Sequence, residues 1–417
     1  MVIPEGYKNT EIGIIPEDWD AIDFGQVGFY FKGKGISMRD VRLYGKPCIM
    51  YGDIYVKFDT YFYDCDYYVD DITASKSTRA LPLDLFFTAS GETAEDIGRC
   101  VSYLGKDTIY IGGDIIALRP YSQYDSLFLS YVQNSYKLKR QKATFAQGNS
   151  VVHISTSNIQ KTFFACPRKK QEQIIISSAI FDVDKTIDNL EKLIEKKKNI
   201  KQGAMQELLT GKRRLPGFTG GWTVKTIGRS GYLYKETINP QLSPLVLFYE
   251  YSMPAFDNGK QPIMKYGKDM HSNRTVISGK VLLFNKLNVR QKRIWLIDAE
   301  KEKSVCSSEF LAYYSDEIDL LYLNYLLNSS KITKNFIDSS TGTSNSQQRI
   351  TPDVFLGYSI TVPSDIEEQT AIASILYDMD NEIEELEKKL AKYRCLKQGM
   401  MSELLTGHIR LTEKEDA

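Results

Sequence analysis

The sequence predicts an α+β fold in which two duplicated mixed α/β blocks are separated by two long α-helices that form an antiparallel coiled coil. Three observations predict it. The stretch from Pro167 to Leu215 recurs from Pro363 to Leu411 without a gap, at a constant offset of 196 positions and with roughly half its residues identical. Within each copy apolar residues fall at alternating steps of four and three, the seam of a coiled coil. Ahead of each copy lie short β-branched and aromatic runs bounded by Gly, Asp and Pro, which read as strands of a mixed sheet.

Residues 1–165 form the first block. It opens YKNTEIGIIPEDWDAIDFGQV, with turn chemistry at Gly13 and Pro16 and Trp19 as an anchor. PCIMYGDIYV, LPLDLFFTASGET, RCVSYLG and TIYIGGDIIALRP read as strands, and 125–140 as helix. Residues 166–215 form the first long helix, with a seam at Ile176, Ile180, Val183, Ile187, Leu190, Ile194, Ala204 and Leu208. Pro167 sits just before its first turn and Gly211 follows its last apolar pair. From Gln171 to Leu209 the rise of about 1.5 Å per residue gives a helix roughly 58 Å long.

Residues 216–362 form the second block, whose Trp222, Ile227 and Gly228 echo Trp19, Phe24 and Gly25. VISGKVLLFN and KRIWLIDA read as strands, LLYLNYLLNSSKITKNF as helix, and Arg349-Ile350-Thr351 aligns with His153-Ile154-Ser155 at the same offset. Residues 363–411 form the second long helix, with a seam through Ile372, Leu376, Met379, Ile383, Leu386, Leu390 and Tyr393 to Met400 and Leu404; 412–417 is a tail. Lys197, Lys201 and Lys397 interrupt the seams. The second half of the first helix is basic, and the first half of the second is acidic from Glu367 to Glu385. An antiparallel pairing sets lysine against glutamate, where a parallel one sets lysine against lysine.

Lys+Arg and Asp+Glu both number 53, so any basic surface must be local. Six cysteines without CxxC spacing suit free thiols in a reducing compartment. No signal peptide and no long apolar run is present, which leads us to expect a soluble, cytoplasmic protein without membrane attachment. Three scattered histidines suggest no metal site, no GxxxxGK[ST] loop is present, and Ser90-Gly91-Glu92-Thr93 lies on no nucleophile elbow. Phe31-Lys-Gly33-Lys-Gly35 is similar to the FxGxG of adenosylmethionine-binding loops but lacks the accompanying Asn-Pro-Pro-aromatic motif, and reads as a basic glycine turn. No catalytic residue is expected in this chain.

The blocks do carry residue types that read nucleic acid: Arg and Lys suit guanine and phosphate, Asn and Gln suit adenine. In the first block these are Lys32, Lys34, Arg39, Lys76, Arg99, Gln147 and Asn149. In the second they are Lys268, Arg274, Lys286, Lys292, Arg293, Asn345, Gln347 and Arg349, concentrated in 268–293 and 341–349.

The paired helices with ends like QGMMSELLTG, Gln173 and Gln369 just inside the proline, and TEIGIIPEDW at the start resemble the specificity subunit of type I restriction–modification systems. The resemblance implies two target-recognition domains, each reading one half of a split, asymmetric DNA target, with the helices as the spacer. It implies double-stranded DNA, two methylation subunits and restriction subunits as partners. It places adenosylmethionine, and ATP and Mg for cleavage, in those partners and no cofactor in this chain. A free-standing DNA-binding repressor and a coiled-coil scaffold without DNA binding are the alternatives. Off the seams, Ile200, Met205 and Leu209 match Leu396, Met401 and Leu405 beside Gly203 and Gly399. A repeated exposed apolar strip suggests a repeated partner surface, unless these residues pack on the chain's own blocks.

Overall fold

The computed structural model describes residues 3–148, 151–342 and 347–411. The chain divides into two compact units, one made of residues up to Glu191 with those from Lys389 on, the other of Lys192–Lys388. Each unit thus contains one block, part of one long helix and part of the other.

In the first unit a five-stranded sheet runs in the order Gly28–Lys32, Ile115–Pro120, Leu85–Thr88, Cys100–Tyr103, Tyr61–Phe62. A second sheet runs Tyr67–Val69, Lys46–Ile49, Ile109–Ile111, Thr78–Ala80. The second unit repeats both orders, with one edge strand fewer in the first sheet and one more in the second. One sheet runs Tyr232–Leu233, Phe310–Tyr314, Gly279–Asn285, Ile294–Ala299. The other runs Ile263–Tyr266, Leu247–Tyr251, Ser304–Ser307, Arg274–Val276, Thr237–Ile238. Even the parallel pair within an otherwise antiparallel second sheet recurs, Lys46–Ile49 with Ile109–Ile111 and Leu247–Tyr251 with Ser304–Ser307. The duplication therefore extends through block interiors whose sequences no longer match.

Each block closes on its own entrance. Trp19–Asp23 pairs antiparallel with Phe163–Pro167, and Trp222–Thr226 with Ser359–Pro363. A short 3-10 turn follows the opening strand in both, burying Phe24 and Ile227. This is the structural basis of the repeated tryptophan and glycine.

The long helices are Lys170–Leu208 and Ile366–Leu404, 39 residues each. Gln173 ties the first to its block: its Oε1 accepts from Asp125 N at 2.9 Å and its Nε2 donates to Pro167 O at 2.9 Å. Gln369 does the same with Asp319 N at 3.0 Å and Pro363 O at 2.9 Å. Gly211 and Gly407 end the helices at φ 71° and 73°, the left-handed region that favours glycine.

Pairing is antiparallel within each unit. Lys197 meets Glu382 and Lys198 meets Glu387 at 2.6 Å in the second; Arg394 meets Glu191 at 2.6 Å in the first. These exposed pairs bias orientation by about 0.3–0.5 kcal/mol each, so the buried seam supplies most of the stabilisation. The lysines that interrupt the seams meet acids. Lys397 bonds Asp184 at 2.7 Å, with Tyr131 Oη on the same carboxylate at 2.7 Å. Lys201 bonds Asp380, with Tyr325 Oη at 2.7 Å.

The expected exposed strip is corrected by the cores. Leu405 is buried in the first unit's core with Ile176, Ile180 and Phe128, and Leu209 in the second's with Leu376 and Phe284. Met401 and Met205 pack against those same cores, because the last helical turn tucks under the neighbouring block. Only Ile200 and Leu396 remain exposed. A Cβ added at Gly203 or Gly399 would meet nothing within 4 Å. All six cysteines are free, and among the described residues no helix is long and apolar enough to cross a membrane.

Candidate nucleic-acid interface

Backbone hydrogen bonds stitch the strand ends of the first unit into one rim. Gly33 N donates to Ile115 O, Ala89 N to Asp114 O and Ile154 N to Ala89 O, each at 2.9 Å. Ser90–Gly91 pairs antiparallel with Val152–His153. His153 and Gln147 exchange backbone bonds of 2.8 and 3.1 Å. Lys32, Lys34 and Gln147 are therefore brought together. Thr78 Oγ1 donates to Lys32 O at 2.8 Å, which adds the end of helix Asp71–Lys76, and Lys76 with it. All four, and Arg39, are exposed, and among the described residues the side chains of Lys32, Lys34, Arg39 and Lys76 form no ion pair. Such ammonium and guanidinium groups can neutralise phosphates, and the Gln147 amide can read a base edge.

The second unit brings together the two segments that the sequence presents apart. Lys286 N donates to Glu309 O at 3.0 Å, Ile350 N to Lys286 O at 2.9 Å and Asn288 N to Gln348 O at 2.8 Å. Lys286, Lys292, Arg293, Gln347 and Arg349 thus share one surface. Lys268 stands apart from these, exposed on the turn Gly267–Asp269.

Several expected readers already have partners within the chain, some buried and others, Lys292 and Arg349, still exposed. Arg274 sits inside an ion pair: its side chain, 11% exposed, bonds the buried Glu250 at 2.7 Å through Nε. Arg293 forms a two-pronged pair with Asp257 at 2.9 and 2.8 Å, and this hydrogen bonding holds the Asp257 carboxyl below its ordinary pKa. Arg349 bonds Glu309 at 3.0 and 2.8 Å. Lys292 donates to Asn328 O at 3.1 Å. Arg99 donates to Tyr55 O at 3.1 Å and to Asp59 at 3.2 Å. Asp59 also holds Lys397 at 2.7 Å; burial opposes the charge of Lys397, but Asp59 and Asp184 together raise its pKa. A sequence displays these cations without the acids that the fold sets against them. Asn149 and Asn345 lie outside the described residues.

One pairing escaped sequence reasoning. Ser90 Oγ lies 2.9 Å from His153 Nδ1, on the same rim as Gln147. Among the described residues no group of three His, Cys, Asp or Glu side chains could hold a metal ion.

Comparison with known proteins agrees with this architecture. The family described as the type I restriction modification DNA specificity domain matches residues 257–392. The specificity subunit of the type I restriction enzyme MjaVIII of Methanocaldococcus jannaschii is 25% identical, with 98% of this chain and 96% of that protein covered. The S subunit of a type I restriction–modification system from M. genitalium superposes with a TM-score of 0.61 at 12% identity, covering 94% of this chain and 97% of that one. A chain from a structure on the assembly and conformational transition of the type I system gives 0.55 at 14% identity, covering 95% and 99%. In its repeated helices, its repeated sheet order and its end-to-end match to these relatives, the chain is similar to the specificity subunits of type I restriction–modification systems.

Proposed function

We propose that this chain reads DNA for a type I restriction–modification complex and performs no chemistry itself. Each block reads one half of a split, asymmetric target, and the long helices set the gap between the halves. The carrying observation is a sheet order preserved through both blocks while the rim residues differ: Lys32, Lys34 and Lys76 on one, Lys286, Lys292 and Arg349 on the other. A protein that reads two unlike sequences with one scaffold needs that combination. Two methylation subunits carrying adenosylmethionine join this chain, and restriction subunits using ATP and Mg join for cleavage. The rim supports this reading over a scaffold without DNA binding. A free-standing repressor would bind its site tightly alone, whereas a specificity subunit needs its methylation partners.

The test is a methylome of cells carrying the complex, with residues 216–362 exchanged for the corresponding block of a relative. One half of the methylated motif should change and the other should stay. A change in both halves, or no split motif that depends on this chain, would overturn the reading.

A further inference from the structure

Two equivalent loops, one in each unit, lead into the equivalent strands Lys46–Ile49 and Leu247–Tyr251. The first presents Leu43 at 93% and Tyr44 at 84% exposure; the second presents Leu242 at 82% and Leu245 at 81%. Among the described residues only Val56 is another large apolar side chain more than 80% exposed.

Neither loop is slack. In the first, Ser37 N and Oγ donate to Asp40 at 2.8 and 2.7 Å. Arg42 N donates to Tyr68 O at 2.7 Å, and its guanidinium donates to the carbonyls of Arg39 and Val41 at 2.9 and 3.0 Å. In the second, Asn239 caps the turn Pro240–Leu242. Gly267 N donates to Val246 O at 2.9 Å and Lys268 N to Pro244 O at 3.2 Å. The apolar tips are held outward by these bonds. Holding apolar tips in water is unfavourable to solubility unless something covers them, and the arrangement is retained in both copies although the loop sequences differ.

The surroundings indicate what covers them. Arg39 and Arg42 flank the first tip, two cations against the single carboxylate of Asp40, which accepts from Ser37. Lys268 is bonded directly to the second loop through its backbone, and Gln241 on that loop contacts His271 at 3.3 Å. Apolar tips in a basic setting suit a DNA duplex, where leucine-like wedges enter between base steps while cations hold the backbone.

We propose that Leu43 with Tyr44, and Leu242 with Leu245, are wedges that enter the duplex, one pair in each half-site, and unstack a base step there. This rests on the DNA-reading function proposed above. Each half-site then favours an easily unstacked pyrimidine–purine step at the wedge, a preference set by deformability rather than by base contacts.

The motif comes first, from the methylome; if none depends on this chain, the function fails before the wedge is tested. The full chain with its methylation subunits is then bound to motif duplexes carrying 2-aminopurine at successive steps. The methylated adenine is avoided, because methyltransferases extrude their target base. Fluorescence should rise at one step in each half. Leu43→Ser with Tyr44→Ser should abolish the rise in one half only and weaken binding by about tenfold or more. Leu242→Ser with Leu245→Ser should do so in the other half. Leu43→Phe, which keeps a wedge, should retain the signal. Uniformly stacked probes in the wild-type complex, or signals that persist in both double variants, overturn the proposal. Normal DNA unstacking combined with loss of the methylation subunit would assign the loops to a protein contact and overturn it equally.

Discussion

Replacing Arg274 by Met separates an internal ion pair from a DNA reader. Glu250 has a side chain only 2% exposed, and Arg274 meets it at 2.6 Å through a second nitrogen besides Nε. Lys265 reaches its other oxygen at 2.8 Å but is 38% exposed. Arg274→Met leaves a buried carboxylate with one partly solvated partner. Breaking a buried pair costs about 3–5 kcal/mol, and the remaining lysine places this case near the low end. For a unit of this size about 3 kcal/mol lowers the melting midpoint by roughly 6–12 °C. Adding Glu250→Met removes the stranded charge and should recover most of the loss, since apolar replacement of both partners is often neutral. Thermal melts followed by circular dichroism measure the three proteins, and methylation by the reconstituted complex is assayed below the lowest midpoint. A single variant that melts like wild type yet loses its half of the motif would refute the reasoning and return Arg274 to the readers.

Two further outcomes are expected. Lys142 donates to Gly98 O and Gln133 O at 2.5 and 3.0 Å, and burial pushes its pKa down to about 7 from 10.5. The unfolded chain then binds more protons between those values, so stability should rise with pH from 7 towards 10, by at most about 1.4 kcal/mol per unit. Urea midpoints at pH 7, 8 and 9 should show that slope, and Lys142→Met should flatten it; a level wild-type profile counts against it. Lys201→Glu should lower the urea midpoint by the equivalent of about 1 kcal/mol, through like charge beside Asp380, and adding Asp380→Lys should restore it. Failure of the double exchange to recover stability would count against the antiparallel register.

The helices and their orientation were legible because their information is local and periodic. Seam positions such as Ile180, Leu376 and Leu404 are buried as the spacing requires. The charge halves meet as predicted, Lys197 on Glu382, and the fold adds Arg394 on Glu191. The candidate site was legible only as residue types. Arg99, Arg274, Arg293 and Arg349 looked alike in the sequence, but the acids that engage them, Asp59, Glu250, Asp257 and Glu309, lie 24 to 40 residues away and identify themselves only after folding. The apolar strip failed for a related reason. Periodicity assigns Met205 and Leu209 to a face off the seam, but a face off the seam can still lie under a block.

What recurs at the offset of 196 is the framework that joins a block to the helices. Glu172 with Arg410 and Glu368 with Arg214 are both bonded at 2.6 Å; Asp184 with Lys397 and Asp380 with Lys201 repeat the pattern. In each of these pairs the two helix copies exchange roles between the units. The rim does not recur in this way: His153 faces Ser90 where Arg349 bonds Glu309. Substitution on the rim leaves the helix attachments untouched, because the rim is tied to strand ends by backbone bonds that do not depend on side-chain identity. A chain built this way can change what one block reads without disturbing the other block or the spacer. The same division explains why a whole-block exchange at 216–362 should alter only one half of a target, while a single change at Glu172 or Glu368 should weaken folding and spare base preference.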